Sequence, residues 1–493
     1  NGKQFNLGIH CYGSVYEPRG HKYIIDFEAD PVPKITYRVG EITFTKSILL
    51  VPDSDQVMIR FELVKAPAKV RLLLTPFLAF RDIHALTDEN PNARTEGWEI
   101  PNGMSFNLYD GFPDLNMQFN TKDVSFVTTP CWYKGVTYSD EYRRGFACKE
   151  DLYVPGHFET EMKPGDTIVF SASVGLTTPS VLKRKFDSYV AKAARITTYH
   201  EQLVHCADLL KQDRGGHKMI TAGFSWLYTG LLRETLEALP GLTLYANGDK
   251  AEFEEILDNL IADNQDRLFH RTTQVDSPLT LADTLSRYIE FGADPKAVWK
   301  KYGQTVKGIL ESYLPGRRGE VAMQPNGLLW AQLDHWALSW MNAYIDGEPV
   351  TERPGYQVET NALWFRSILF AVTMERKYSK KDSAFLKEWS HILDLVRENY
   401  QKTFWNARAG YLADYVDNAG QHLEVRPNML CALLGDEMPV DAEVARKVLQ
   451  VIDNELVTRR GIRTLSPRHA EYKGVYEGTQ TERDLAYHNG STR

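Results

Sequence analysis

The chain has 493 residues, 43% of them hydrophobic and 25% charged, with a formal net charge of −8. This length predicts two or more domains, and the composition is that of a folded globular protein rather than a disordered one. The negative charge disfavours nucleic acid and anionic membranes as partners. No apolar run approaches the roughly 20 residues that a membrane-spanning helix needs.

The cysteines, at positions 11, 131, 148, 206 and 431, are widely scattered and lack the paired spacing of a metal site. We therefore expect buried thiols, no bound metal and a cytoplasmic location, since the opening sequence NGKQFNLGIH is not a signal peptide. The chain begins in a strand-and-turn pattern and stops after AYHNGST without Gly or Pro punctuation. A missing segment is expected at each end.

Residues 1–178 predict an antiparallel β-sandwich. Segments such as ITFTKSILLV, QVMIRFELV and DTIVFSASVGL alternate or run apolar over strand-like lengths, and turn sequences such as VPDSDQ and MKPGD separate them. Because no helical pattern intervenes, these strands are expected to pair antiparallel. The polar stretch at residues 81–111 is interpreted as a long loop.

The hydrophobic period changes near Pro179. Residues 179–214 predict one amphipathic linker helix, and residues 215–493 predict consecutive helices without strands between them. The helices are predicted at about residues 231–246, 250–264, 280–291, 295–314, 358–378, 382–404, 427–434 and 441–457. Helix caps are expected at Asp249, Asp294 and Asp382, and turns at Gly248 and Gly292. A bundle, a solenoid or a toroid would fit, although no fixed-period repeat favours the solenoid.

Residues 336–364 read WALSWMNAYIDGEPVTERPGYQVETNALW, an aromatic-rich segment followed by a Gly/Pro bend and a helical run. Indoles beside amides and carboxylates suit a neutral ring-shaped ligand with many hydroxyl groups. The segment resembles the glucosidase domain of bacterial and archaeal glycogen debranching enzymes, the amylo-alpha-1,6-glucosidase family. There the block runs approximately Trp-Met-Asp-Ala, Thr-Pro-Arg and Val-Glu-Ile-Asn-Ala-Leu-Trp. EPRGHKYIIDF, TPFLAFRDIHALTDEN and residues 461–492 resemble other blocks of that family, in the same order.

The resemblance implies an N-terminal β-sandwich followed by an (α/α)6 toroid, of which residues 215–493 would form only a part. It also implies inverting acid/base hydrolysis of α-1,6-linked glucose in glycogen or α-glucan oligosaccharides, without a metal or other cofactor. The family's acid falls at Asn342, whose amide has no proton of suitable acidity. Glu359 falls at the family's Glu, and Asp346 could replace Asn342 as the acid if that segment is helical. The catalytic base is expected beyond Arg493.

The same resemblance implies a substrate pocket with substituted motifs. AGFSWLYTGLLRETLEALPGLTL at residues 222–244 has Gly230 and Leu231 where the family has Asp and Trp, and Glu234 where it has a second Asp. These losses fall on polar and aromatic positions and spare the scaffold Gly and Pro, which indicates a retuned or silent pocket. Substrate contacts are expected from Trp226, Arg233, Glu234, Asp276, Trp340, Asn361, Trp364, Tyr487 and His488, the last two of which could instead pack in the core.

Three functions remain open at this stage. The first is a debranching-type glycoside hydrolase acting on α-1,6-linked glucose. The second is a catalytically silent α-glucan-binding or regulatory homologue, because Asn342 stands at the position of the acid. The third is a hydrolase of the same clan with a changed linkage specificity.

Overall fold

The computed structural model describes residues 3–52, 54–193, 198–223, 227, 229–270, 273–379 and 383–492. The chain divides into two compact units, Asn1–Gln202 and Leu203–Arg493. Within the described residues the first unit is built mainly of strands and the second mainly of helices, as their hydrophobic periods predict.

The strands of the first unit lie between residues 9 and 173. They are β1 Ile9–Tyr12, β2 Val15–Arg19, β3 Ile24–Glu28, β4 Lys34–Val39, β5 Ile42–Leu50, β6 Gln56–Lys65, β7 Val70–Leu74, β8 Gly97–Ile100, β9 Gly103–Phe106, β10 Leu115–Phe119, β11 Ser125–Thr137, β12 Lys149–Met162 and β13 Thr167–Ser173. A short helix, α1 Ser139–Arg143, lies between β11 and β12.

These strands form a large and a small sheet, besides the β1–β2 hairpin. The large sheet has the order β3-β4-β5-β6-β13-β10-β9-β8, and the small one has the order β11-β12-β7. All of the described pairings in them are antiparallel. The predicted antiparallel sheet domain is therefore confirmed.

The two sheets share one hydrophobic core. Phe119 of the large sheet meets Phe158 of the small sheet with ring centroids 5.0 Å apart, and both side chains are buried. Phe61 and Met117 from the large sheet and Met162 from the small sheet belong to the same cluster. Apolar residues on alternate strand positions thus face a common interior, which is how a two-layer β structure buries its surface.

The prediction of a long loop at residues 81–111 is wrong in part. The segment contains the β8–β9 hairpin, which extends the large sheet at its edge. Pro101 and Asn102 form the turn, and Asn102 adopts a positive φ of 55°, as the third residue of a type II turn requires. The sequence Pro-Asn-Gly at residues 101–103 is a turn signal that the polar character of the segment obscured.

The predicted single linker helix is also wrong. Helix α2, Leu182–Lys192, ends at Ala193, which has an extended backbone, and a separate helix, α3, spans Tyr199–Leu210. Leu182 and Phe186, one turn apart, pack α2 onto the first unit beside Met58 and other apolar side chains. The boundary between the two compact units falls within α3.

The helices of the second unit follow the predicted segments closely. They are α4 Leu232–Leu239, α5 Lys250–Asp263, α6 Gln265–Phe269, α7 Thr280–Glu290, α8 Pro295–Ser312, α9 Val358–Tyr378, α10 Ala384–Phe404, α11 Ala442–Glu455 and α12 Gln480–Tyr487. A π-helical turn, Pro240–Tyr245, continues α4, and 3-10 turns span Ser277–Leu279 and Pro427–Leu433. Helices α6 and α12 were not predicted, although Thr479 and Glu482 form a capping box at the start of α12.

The helix caps agree with the sequence at two of three positions. Asp249 accepts a hydrogen bond from the Glu252 amide, and Asp294 accepts from the amides of α8. Asp382 lies outside the described residues, and the cap of α10 is Ser383, which accepts from the Leu386 amide. The predicted turn glycines, Gly248 and Gly292, have positive φ angles of 70° and 94°.

The expectation of helices without intervening strands is wrong. Short strands of two or three residues lie in the connections, where most form local hairpins and Tyr356–Gln357 pairs with the distant Tyr415–Asp417 in a three-stranded sheet. They are β14 Lys211–Asp213, β15 Lys218–Ile220, β16 Val321–Met323, β17 Leu329–Ala331, β18 Tyr344–Ile345, β19 Glu348–Pro349, β20 Tyr356–Gln357, β21 Trp405–Asn406, β22 Tyr411–Leu412, β23 Tyr415–Asp417, β24 Gly420–His422, β25 Val457–Thr458 and β26 Gly461–Ile462. Segments this short give no period to read in the sequence.

Helix α9 is the centre of the second unit. It packs against α7, α8, α10 and the 3-10 turn Pro427–Leu433. Its buried residues cover all sides of the helix, including Trp364, whose ring meets Trp389 of α10 at 5.6 Å between centroids. A helix that is buried on all sides in this way lies in the core of a large domain, and its buried polar side chains, such as Glu359 and Asn361, need partners inside the protein. No helix in the described part of the chain combines the length and apolar character needed to cross a membrane.

The five cysteines are not all buried as predicted. Cys11 is buried, whereas Cys131 on β11 and Cys206 on α3 are exposed. Both lie on surface-facing positions of their elements, where a small thiol is tolerated without packing.

Candidate functional site

The starts of two helices meet at an ion pair. Arg233 lies in the first turn of α4, and Asp276 precedes the 3-10 turn that leads into α7. Arg233 Nη2 donates to Asp276 Oδ1 at 2.6 Å, and both side chains are buried. Burial alone would lower the pKa of the Arg233 guanidinium, but the Asp276 carboxylate raises it above its ordinary value. Arg233 therefore stays charged.

Trp340 is attached to this ion pair and presents a fixed indole. Its backbone N–H donates to Asp276 Oδ2 at 3.1 Å, and its Nε1 donates to Asn428 Oδ1 at 2.8 Å. The His488 ring packs edge-on against the indole, with centroids 5.2 Å apart and an interplanar angle of 84°. The side chain is half-buried. A ring that is held at several points and still partly open can stack on a flat ligand without losing side-chain entropy.

A buried network of hydrogen bonds and ion pairs holds Asn428 in place. Asn428 Nδ2 donates to Asp414 Oδ1 at 2.7 Å, and Arg353 Nε donates to the other oxygen of Asp414 at 2.7 Å. Arg353 also forms a bidentate pair with Glu359, in which Nη2 donates to Oε2 at 2.7 Å. Burial would lower the pKa of Arg353, but Asp414 and Glu359 raise it above its ordinary value.

Glu359 is therefore an internal counter-ion. It is 2% exposed, and both of its oxygens accept hydrogen bonds from Arg353. The sequence predicted a catalytic role for Glu359, but the structure places its carboxylate inside the protein. From there it orients Trp340 indirectly, through Arg353, Asp414 and Asn428.

Asn342 and Asp346 lie on the surface of the same loop. Both side chains are exposed, although Asn342 follows the buried Met341. Asp346 has a φ of 52° and forms, with Gly347, the turn of the β18–β19 hairpin. Asp346 could replace Asn342 as the acid only if this segment is helical. The segment is a hairpin instead, so that condition is not met.

Two glutamates of α4 lie beside the ion pair. Glu234 is half-buried, and among the described residues its Oε2 has no hydrogen-bond partner. Glu237 lies one turn beyond Arg233 on the same helix face. Its side chain is exposed, but neighbouring protein atoms partly desolvate its carboxylate. This burial raises the pKa of Glu237; Arg233 partly offsets the rise, and the charges of Asp276, Glu234 and Asp283 add to it.

Two family models match this chain. A family model described as amylo-alpha-1,6-glucosidase matches residues 201–492, and one described as glycogen debranching enzyme N terminal matches residues 1–169. The chain belongs to the amylo-alpha-1,6-glucosidase family. A search of curated proteins found no match.

Three solved structures are similar to this chain, and only the first is similar enough to support its fold. A bacterial glucoamylase complexed with acarbose is 13% identical, with 88% of this chain and 70% of that chain covered and a TM-score of 0.52. A family GH78 rhamnosidase of Bacillus sp. GL1 is 13% identical, with coverages of 83% and 38% and a TM-score of 0.38. A sialidase is 11% identical, with coverages of 93% and 48% and a TM-score of 0.42. The glucoamylase likeness concerns the fold, which together with the family match makes this chain a member of a glycoside hydrolase family.

Two residues of the family's Val-Glu-Ile-Asn-Ala-Leu-Trp block are structural here. Asn361 is fully buried, accepts from the Leu329 amide at 2.7 Å and donates to the Leu329 carbonyl at 3.0 Å. Trp364 is fully buried and donates to the Gly327 carbonyl at 3.0 Å. Their prediction as substrate-binding residues is corrected, because a sugar has no access to either.

The remaining predicted residues divide into three cases. His488 is fully buried and, through Nε2, accepts from the Ala343 amide at 3.3 Å, so it supports the loop beneath Trp340. Tyr487 is half-buried, with its ring 4.6 Å from that of His488. Trp226 lies outside the described residues.

Sequence reasoning missed Asn428, Asp414 and Glu237. Asn428 belongs to the Arg-Pro-Asn sequence at residues 426–428, where Pro427 opens a helical turn. Glu237 could have been found as the residue one turn after Arg233. Asp414 follows a two-residue strand and carries no local signal.

A cavity of about 330 Å³ in the second unit does not have Trp340 among its lining residues. It is bounded by β15, α5 and α6, with His217, Asn259 and Asp263 among its lining residues, and reaches α4 at Thr235. None of the predicted site residues lines it. We place the candidate site at the Asp276–Trp340 junction, because the charged and aromatic groups converge there.

Proposed function

We propose that this chain acts as a debranching-type glycoside hydrolase, which removes α-1,6-linked glucose from glycogen and related α-glucans by inverting hydrolysis in an (α/α)6 toroid. The observation that carries the proposal is the half-open indole of Trp340, anchored to Asp276 and Asn428 beside the charged Arg233. A cytoplasmic location would suit it, since the cysteines are few and widely scattered in the sequence.

A neutral sugar fits the chemistry of this junction. The half-buried face of Trp340 offers a stacking surface for a sugar ring. The charges of Arg233 and Asp276 neutralise each other, so the site does not select for an ionic ligand. The similar glucoamylase was solved with acarbose, which supports an oligosaccharide as the ligand class.

Among the described residues we propose Glu237 as the proton donor. A general acid must hold its proton near the working pH, and Glu237 has a raised pKa and is open to solvent. Asn342 has no acidic proton, Asp346 lies exposed on a hairpin turn, and Glu359 is held by Arg353. Asn342 is then assigned to substrate contact.

A second function, glucan binding without hydrolysis, is favoured by one observation. The residue at the position of the family's acid is an exposed amide, Asn342, on the loop that carries Trp340. Stacking and hydroxyl hydrogen bonds need no proton donor, so binding would survive this substitution.

The test is glucose release from a phosphorylase limit dextrin, with the anomer followed by NMR. We expect the wild type to release β-glucose and Glu237→Gln to lose about 10²- to 10⁴-fold in kcat. Asp346→Asn, which removes an exposed carboxylate from the same region, is the control and should keep its activity. Glycogen affinity is measured for each variant.

The outcomes separate the two functions. A wild type that binds glycogen but releases no glucose, together with a gain of activity in Asn342→Asp, would establish the silent homologue. Release of α-glucose would contradict inversion. A wild type that neither binds nor cleaves α-glucans would contradict both functions.

A further inference from the structure

The loop that carries Trp340 is tied down along its whole length. The Ala337 amide donates to the Tyr344 hydroxyl at 2.7 Å, and the Val350 amide donates to the Ala343 carbonyl at 2.9 Å. His335 has a φ of 64°, which a non-glycine residue rarely adopts, and its Nδ1 lies 2.8 Å from a Glu348 carboxylate oxygen. The side chains on this loop are therefore held in place before any ligand arrives.

Trp336 is an exposed indole on this rigid loop. It is 47% exposed, and its ring centroid lies 6.4 Å from that of Tyr344 at an interplanar angle of 77°. It precedes Trp340 by four residues, so their Cα atoms are at most about 14 Å apart. A short oligosaccharide can span that separation.

The surroundings of Trp336 are polar. His335, Asn342 and Glu348 are exposed on the same loop, and Leu333, at 36% exposure, is the nearest exposed apolar residue along the chain. A stable protein interface needs about 800 Å² on each partner, which one indole and one leucine do not supply. A single ring bordered by hydrogen-bonding groups suits a sugar instead.

We propose that Trp336, supported by Tyr344, is a second stacking platform that binds a further glucose unit of the α-glucan chain beyond the unit at Trp340. This inference rests on the proposed function, since it assumes that the Trp340 site binds α-glucan. Trp336 would then make the protein bind oligosaccharides more tightly than single sugars. The exposed side chains of Glu348 and Asn342 could form hydrogen bonds with the hydroxyl groups of the further glucose unit.

The test compares the affinities of Trp336→Ala for maltoheptaose and for glucose by isothermal titration calorimetry. We expect the Kd for maltoheptaose to rise about 2- to 10-fold, as for one lost stacking contact, while the Kd for glucose is unchanged. Trp336→Phe should recover most of the affinity. Trp98→Ala removes a similarly exposed tryptophan, at 44%, from the first unit and is the matched control. Trp340→Ala should weaken both ligands.

The results distinguish failure of this inference from failure of the proposed function. If the wild type binds maltoheptaose and Trp336→Ala behaves like Trp98→Ala, the second platform does not exist. Equal weakening for glucose and maltoheptaose, or a lowered Tm in Trp336→Ala alone, would assign Trp336 to the first site or to the fold. A wild type without affinity for maltoheptaose would overturn the proposed function, and the platform with it.

Discussion

At the scale of single residues, the groups around a carboxylate determine whether it stabilises the fold or is available for proton transfer. Glu359 and Asp414 share the guanidinium of Arg353 in the protein interior, and removing one member of such a buried set costs about 3–5 kcal/mol. Glu237 is in the opposite situation, since it is open to solvent beside other carboxylates. Burial raises the pKa of Glu359 as well, but its carboxylate is enclosed and bonded to Arg353, so it supports the structure together with Asp414. Of the three, Glu237 alone combines a raised pKa with an exposed side chain, as proton transfer to a ligand requires.

The raised pKa of Glu237 predicts a pH-dependent effect of Glu237→Gln on stability. The folded state binds the Glu237 proton more tightly than the unfolded state. The wild-type glutamate therefore contributes stability below its ordinary pKa of about 4.5, and this contribution is lost as the pH rises through the raised value. We expect Glu237→Gln to gain stability relative to wild type across that window and to remain more stable at neutral pH, as measured by urea unfolding over a pH series.

The control for this prediction is Glu398→Gln. Lys402 lowers the pKa of the exposed Glu398, so its contribution has the opposite sign and is present above the ordinary pKa. Glu398→Gln should lose a little stability at neutral pH. A Glu237→Gln variant that follows the same trend as Glu398→Gln would refute the assigned surroundings of Glu237.

At the scale of elements, the geometry of α9 explains why Glu359 contacts Arg353 whereas Asn361 and Trp364, in the same motif, contact a hairpin. Successive residues of a helix are turned by about 100°, so Asn361 points about 200° away from Glu359, whereas Trp364 returns to within about 60° of Asn361. Glu359 reaches Arg353, while Asn361 and Trp364 face the β16–β17 hairpin and its turn at Leu329 and Gly327. Three residues spaced in this way cannot line one pocket.

Asn361→Leu should therefore destabilise the fold without changing glucan binding. The substitution leaves the buried amide and carbonyl of Leu329 without their Asn361 partner, which costs about 2–6 kcal/mol at about 1–3 kcal/mol for each group. Urea unfolding measures the loss, and calorimetry with maltoheptaose measures the affinity of the folded variant.

Asn399→Leu is the matched control for this effect. Its half-buried amide donates to the Asn326 and Leu395 carbonyls, so we expect a smaller loss of about 1 kcal/mol. If folded Asn361→Leu bound maltoheptaose at least tenfold more weakly than the wild type, Asn361 would be a ligand contact after all.

At the scale of the whole molecule, charge separates a neutral ligand from an anionic one. The net charge is −8, and the candidate site contains the mutually neutralised pair Arg233 and Asp276. We expect glycogen affinity to change less than about twofold between roughly 50 and 200 mM salt, because a neutral polymer releases no counterions. Affinity electrophoresis in glycogen gels measures this. A loss of about 10³-fold or more over that range would indicate an anionic ligand instead.

Much of the architecture follows from local sequence patterns. The change from period two to a helical period near residue 179 predicted the strand-rich and helix-rich parts, because burial of one face imposes a period on each element. The N-cap roles of Asp249 and Asp294 followed from the adjacent helix starts. The hairpins of two or three residues, the break at Ala193 and the β8–β9 hairpin were missed, since short or polar segments carry little periodic signal.

The sequence by itself determined the family and the positions from which a site is built, including Arg233, Asp276 and Trp340. Only the tertiary structure decided which carboxylates are available, because ion pairs such as Arg353–Glu359 and Arg233–Asp276 depend on where the chain brings its elements together. The same holds for the support of Trp340 by Asn428, which lies 88 residues away along the chain. Burial and charge pairing are properties of the folded surroundings, so a motif can name a residue without determining whether it binds a ligand or holds the fold.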